Sequence, residues 1–294
     1  MDVTGRERRG WARARRGAVT ALVVAGALLG AVIIGVVRPA VGSTAAACVD
    51  GPRPDPLVPP AAGTEALVAW AAGASFWDRE ARAQNLTIAA YADGTVVRAS
   101  NSGGIWSPFP DVTLGWAGPC QVAEAADRLR EMAGARIGDV PVTDVSSAYI
   151  LVRPFQETPE VAISVYAMDR YFDQYASTPD AARDAIRRVV ESLRDAPGAE
   201  PWSPDRYRLE RFHDAYFPVR QPPATWPGPR SIAETVGSGD CTEVGDRMIG
   251  AEGVDQFRPP VSWWTEEGGA QSLLGISVLF PGEPACPARR PPSR

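Results

Sequence analysis

The N-terminal part of the chain holds an unbroken apolar block. Residues 18–37 read AVTALVVAGALLGAVIIGVV, with Thr20 the only polar side chain and no charge. At a helical rise of about 1.5 Å per residue such a block covers about 30 Å, the depth of a bilayer's hydrocarbon core. A backbone in lipid must satisfy its own hydrogen bonds, so the block predicts a single transmembrane helix over 18–37. Beyond it the pattern breaks into short runs. Residues 86–91 and 95–98 read as two strands around Ala92-Asp93-Gly94, because Asp-Gly between β-rich runs is a strong hairpin signal. The apolar run 66–72 supplies a neighbouring strand, and Asn101-Ser102-Gly103-Gly104 a loop. Over 121–133 the period lengthens: Val122, Ala126, Leu129 and Ala133 share one helical face, and Gly134 suits the C-cap.

Strands followed by a helix then recur. Residues 147–154 and 161–168 read as a second strand pair. Thr178-Pro179-Asp180 reads as a helix start, with Thr as N-cap. Ala182, Ile186, Val189 and Leu193 form that helix's buried stripe, and Pro197-Gly198 ends it. Further on, the chain predicts a strand over 206–212, short helices around 231–236 and 251–257, and a hairpin of 261–265 with 272–280. Strand pairs followed by helices, without strict alternation, predict an α+β fold: a mainly antiparallel sheet with two principal helices on one face, preceded by a single transmembrane helix. The expected organisation is a basic cytoplasmic tail (1–17), the transmembrane or signal segment (18–37), a Pro-rich stalk (38–63), an extracytoplasmic α+β domain (64–287) and a disordered tail (288–294). Five prolines in residues 51–60 make the stalk an extended spacer.

Charge sets the orientation. All 30 basic residues are Arg, and residues 1–16 hold six of them against Asp2 and Glu7. The positive-inside rule keeps that end in the cytoplasm and exports the rest. The remaining chain carries 24 Arg against 33 acids, which argues against nucleic acid as a partner. The block reads as an uncleaved anchor in the lipid bilayer. The alternative is cleavage at the small residues Ala45-Ala46-Ala47, giving a secreted chain or one lipid-anchored at Cys48. Either route puts Cys48, Cys120, Cys241 and Cys286 in an oxidising compartment. Four cysteines allow three pairings; Cys241–Cys286 with Cys48–Cys120 is preferred, because each pair brackets a continuous piece of chain.

Three short motifs resemble those of a broad family of exported, often lipid-anchored proteins of high-GC Gram-positive bacteria. Tyr91-Ala92-Asp93-Gly94-Thr95-Val96-Val97 is similar to its Y-x-DG-x-V hairpin. Val165-Tyr166-Ala167-Met168 is similar to its V-Y-A-L strand, and Leu279-Phe280-Pro281-Gly282-Glu283-Pro284-Ala285-Cys286 to its LLP-x-E-x-x-C ending. The likeness spans most of residues 65–287. It implies an exported α+β domain whose final Cys pairs with the one shortly before, and it assigns no activity. The chain departs from the family at its N-terminus, where Ala45 stands in place of the larger aliphatic residue of a lipid-attachment site.

Candidate chemistry is sparse. His213, the only histidine, precedes Asp214, but no G-x-S-x-G elbow accompanies them. The carboxylate pairs Glu157/Glu160 and Glu266/Glu267 fall in predicted turns, where acids are normally solvated. No metal-ligand or calcium-loop spacing occurs, Gly237-Ser238-Gly239 lacks the G-x-x-x-x-G-K-S/T pattern of a phosphate loop, and no cofactor is expected. Nine tryptophans are the unusual resource. Trp106, Trp202, Trp226 and Trp263 are candidates for an aromatic binding surface, core packing being the competing role. The expected function is a non-enzymatic, membrane-anchored binding domain whose partner is a cell-wall component or an envelope protein. The alternative is an envelope hydrolase acting on glycan or peptide through Asp and Glu.

Overall fold

The computed structural model describes residues 48–72, 87–100, 111–138, 140–142, 145, 147–176, 180–212, 222–245 and 261–286. The expected membrane helix (18–37), the tail (288–294), the Asn101–Gly104 loop, the helix expected at 251–257, Trp106 and His213 all lie outside them. Among the described residues no helix is long and apolar enough to cross a membrane.

The domain has an α+β architecture with mainly antiparallel sheets, and two sheets take the place of the single one expected. The first contains β1 (Val68–Ala72), β2 (Ile88–Ala90), β3 (Thr95–Ser100), β4 (Asp111–Trp116), β5 (Ser147–Val152), β6 (Val161–Tyr166) and β7 (Glu200–Pro201). Its spatial order is β6-β5-β1-β2-β3-β4-β7. The second contains β8 (Arg206–Phe212), β9 (Ala224–Thr225), β10 (Cys241–Gly245), β11 (Val261–Thr265) and β12 (Gln271–Val278), in the order β10-β8-β12-β11-β9. Among the described residues only the β9–β11 pair is parallel.

Alternation along the strands explains the layering. Val68, Ile88, Ala90, Val96, Ile150 and Val152 face helices α1 (Pro119–Met132) and α2 (Ala181–Arg194). Ala69, Ala89, Tyr91, Val97, Val112 and Leu114 face the other way and pack with Leu209, Trp264, Leu274 and Ile276 of the second sheet. The centre of the first sheet is therefore buried on both sides, with helices on one face and the second sheet on the other. A short third helix, α3 (Ile232–Val236), starts on a capping box of Ser231 and Glu234.

The β2–β3 hairpin forms as predicted. Gly94 has φ 95°, and a Cβ there would stand 2.6 Å from the backbone of Gly118 and Pro119. The turn thus needs glycine for its conformation and for its approach to the start of α1. Helix boundaries differ in detail. α1 begins at Pro119, two residues before the expected start, and ends on Ala133 rather than Gly134. The N-cap of α2 is Asp180 rather than Thr178; its side chain accepts from Ala182 N at 3.0 Å and Arg183 N at 3.1 Å. Partial burial works to raise that carboxyl, yet backbone N–H groups of Arg183, Gly138 and Ala182 and the Arg183 guanidinium hold it below its ordinary value.

Both preferred disulfides are present, Cys48–Cys120 and Cys241–Cys286, with Cα atoms 5.5 and 5.8 Å apart. The first changes the reading of the stalk. From Cys48 onward the expected spacer lies against the domain: Asp50 Oδ1 accepts from Cys120 N at 2.7 Å, Arg53 pairs with Glu200, and Leu57 is buried between the sheets. Prolines keep this segment extended, and the disulfide, the buried Leu57 and these polar ties dock it.

Candidate functional site

Two clefts flank the first sheet near its β6 edge. One opens on the helix side. Its floor is set by strand alternation, which turns Trp70 of β1 and Ala148 of β5 toward α2, and by Met168, just past β6. Its wall is the 3₁₀ turn Arg170–Tyr175, capped by Asp169, whose side chain accepts from Tyr171 N at 2.7 Å. Arg187 of α2, 4% exposed, fastens that turn. Its Nε donates to Met168 O at 2.9 Å, its two Nη atoms reach both oxygens of Asp173 at 2.9 and 2.8 Å, and Nη1 also reaches Asp184 at 2.8 Å. Bidentate guanidinium–carboxylate geometry of this kind fixes orientation as well as distance.

The cleft so formed has a volume of about 430 Å³. Trp70, Ala148, Met168, Phe172 and Val190 give it an apolar interior, and Asp169, Arg170, Glu191 and Arg194 form the charged mouth. Arg170 donates to both oxygens of Glu191, at 3.1 and 2.6 Å. That hydrogen-bonded pair holds the Glu191 carboxyl below its ordinary value and raises the Arg170 guanidinium. Arg194 is held more loosely, 3.8 Å from Glu191 and 3.5 Å from Asp195. Outside the wall, Tyr171 and Tyr175 are exposed. The Tyr171 ring meets Phe172 edge-on at 5.2 Å and Tyr175 at 6.0 Å, so the three rings form a continuous aromatic ridge.

The other cleft, about 510 Å³, lies on the opposite face, where β5 and β6 extend beyond the second sheet. Its polar groups are engaged in holding the C-terminal ending in place. Arg208 donates to Glu283 at 3.1 Å, to Pro284 O at 2.9 Å and to Ala285 O. Glu283 accepts from Phe280 N at 3.1 Å, and Tyr91 Oη donates to Pro281 O at 3.0 Å. Burial raises both the Glu283 carboxyl and the Tyr91 hydroxyl. Gly282, at φ 69°, crosses Thr64 so closely that a Cβ would lie 2.2 Å from its carbonyl oxygen. These contacts make the ending a structural clasp.

The described candidate tryptophans are engaged in packing. Trp226 is core, edge-on to Trp264 at 5.9 Å, with its indole donating to Arg230 O at 2.6 Å. Trp202 is half-buried against Phe280, and Trp263 packs with Leu273 and Phe212. Glu157 and Glu160 are exposed, and Glu266 accepts from Ile232 N at the start of α3, so neither acidic pair faces across a gap. Among the described residues no group of three or more His, Cys, Asp or Glu is placed to hold a metal ion. The residues that build the helix-side cleft were missed in the sequence, although one signal was there: the hexapeptide RYFDQY puts three aromatics between a strand and a helix.

Fold and site together define an α+β domain with mainly antiparallel sheets, two disulfides and a cleft that is apolar inside and charged at its mouth. No family model, curated protein or solved structure matches the chain.

Proposed function

We propose that this chain is an extracytoplasmic binding domain of the cell envelope, held at the membrane by residues 18–37 and acting without catalysis. The apolar block and its flanking arginines support the anchor. The two disulfides fit an oxidising compartment. The likeness of three motifs to an exported family points the same way.

The observation that carries the binding role is the helix-side cleft, where each guanidinium is matched to a carboxylate. Glu191 and Asp173 are both held below the ordinary carboxylate range by arginine hydrogen bonds. A group in that state stays ionised at neutral pH and is a poor general acid, whereas glycan hydrolysis needs one carboxyl held protonated. The same fixed pairs suit a rigid recognition surface.

The test is to incubate the purified chain with cell-wall and membrane fractions of a high-GC Gram-positive bacterium. Saturable retention without release of reducing ends or peptides is expected. Steady turnover, or no retention on any fraction, would contradict the reading.

A further inference from the structure

Resting on that binding role, we infer that the helix-side cleft takes a neutral oligosaccharide. The inference draws on the shape of the interior, the hydrogen-bonding character of the mouth and its charge balance.

The cleft volume of about 430 Å³ lies within the usual range of small-ligand sites. Trp70 and Phe172 supply planar rings and Met168 further apolar surface, which suits the C–H faces of a sugar ring. At the mouth, donors and acceptors stand side by side. Arginine only donates and an ionised carboxylate only accepts, so a polar group bridging Glu191 and Arg194 must do both. A hydroxyl does both, and a vicinal diol presents two such groups on adjacent carbons.

Charge then separates sugars from other polar ligands. Arg170 faces Glu191, Arg194 faces Glu191 and Asp195, and Arg187 faces Asp173 and Asp184. An anionic ligand would compete with the carboxylate beside each arginine, and a cationic one with the arginines beside Glu191. A neutral polyol adds hydrogen bonds without breaking these pairs. Tyr171 and Tyr175 extend the aromatic surface beyond the cleft, where a second sugar unit of the same chain can stack. The ligand class is therefore an oligomer rather than a free monosaccharide.

The test uses the full chain in a detergent without a sugar headgroup, titrated calorimetrically with short neutral oligosaccharides of glucose, galactose and arabinose. Saturable binding of at least one is expected. Glu191→Gln and Tyr171→Ala should each weaken it about tenfold. Arg170→Ala, which removes an exposed side chain and leaves the core intact, should weaken it as well. Tyr149→Ala, at the cleft on the opposite face, should leave it unchanged. Circular dichroism confirms that each variant is folded. Binding of anionic fragments alone, no binding by any of the three sugars, or affinities unchanged in all three helix-side variants would overturn the inference. Retention on envelope fractions that neutral sugars do not compete would sink the sugar assignment and leave the binding role standing; absence of all retention would remove both.

Discussion

Asp173 and Glu283 lie in environments that act in opposite directions: hydrogen bonds to the buried Arg187 lower the first carboxyl, and burial raises the second. Arg187 is surrounded by acceptors, so removing it strands Asp173 and Asp184 and frees the 3₁₀ turn. Both carboxylates remain close to half exposed, so Arg187→Ala is expected to lower unfolding free energy by about 2 kcal/mol, read from urea denaturation. Asp173 is held below its ordinary value by its hydrogen bonds to Arg187. Its contribution is present above the unfolded pKa of about 3.9 and is lost as pH falls through the lower folded value. Glu283 has the reverse sign, because burial raises its carboxyl. Its contribution is greatest below the unfolded value of about 4.3 and is lost as pH rises through the folded one. Denaturation midpoints across the acid-to-neutral range should therefore converge for wild type and Asp173→Asn toward low pH. The advantage of wild type over Glu283→Gln should instead grow toward low pH. Parallel curves for either pair would contradict the assignment. Neither arginine environment was legible in the sequence. Helical periodicity assigns Arg183 and Arg187 to α2, but not the partners that arrive from elsewhere: Gly138 O for Arg183, and Met168 O and Asp173 for Arg187.

At the scale of elements, the strongest local signals were read correctly. Asp93-Gly94 announced the β2–β3 hairpin, and the spacing of Val122, Ala126 and Leu129 announced α1, because one turn residue or one face decides each. The second sheet was not foreseen. Its trace was present in runs such as Val96-Val97 and Ile88-Ala89-Ala90, where consecutive apolar residues require cover on both faces. Strands β7 and β9 carry no pattern because each has only two residues, and β4 and β10 contain or border glycines that interrupt the strand pattern. The cleft was illegible for a related reason: its residues come from β1, β5, the 3₁₀ turn and α2, which only the assembled fold brings together. Asp180 caps the helix that forms one side of it. Asp180→Ala should destabilise the domain by about 1 kcal/mol, with faster amide exchange confined to the first turn of α2. Uniform acceleration throughout the domain would argue that the cap has no local role.

For the whole molecule, the disulfides fasten the two ends of the described chain. Cys48–Cys120 ties the entering segment to the start of α1, and Cys241–Cys286 ties the C-terminal clasp to β10. They close loops with sequence separations of 72 and 45 residues, for which chain entropy gives about 4 kcal/mol each. Replacing Cys241 and Cys286 together by Ser should lower stability by about 2–4 kcal/mol in urea titrations, with the β8–β10–β12 region losing exchange protection first. A loss spread evenly over both sheets would show that the clasp does not act locally. The first bridge also fixes the chain against the domain from Cys48 onward.

Peptide mapping of the native protein by mass spectrometry, without reduction, tests the central claim most directly, because it reads the N-terminus and the thiols together. The expected result is a chain that retains residues 18–37, with one linked peptide joining Cys48 to Cys120 and another joining Cys241 to Cys286. Four free thiols would contradict folding in an oxidising compartment, and an N-terminus beginning at Cys48 would contradict the membrane-spanning anchor.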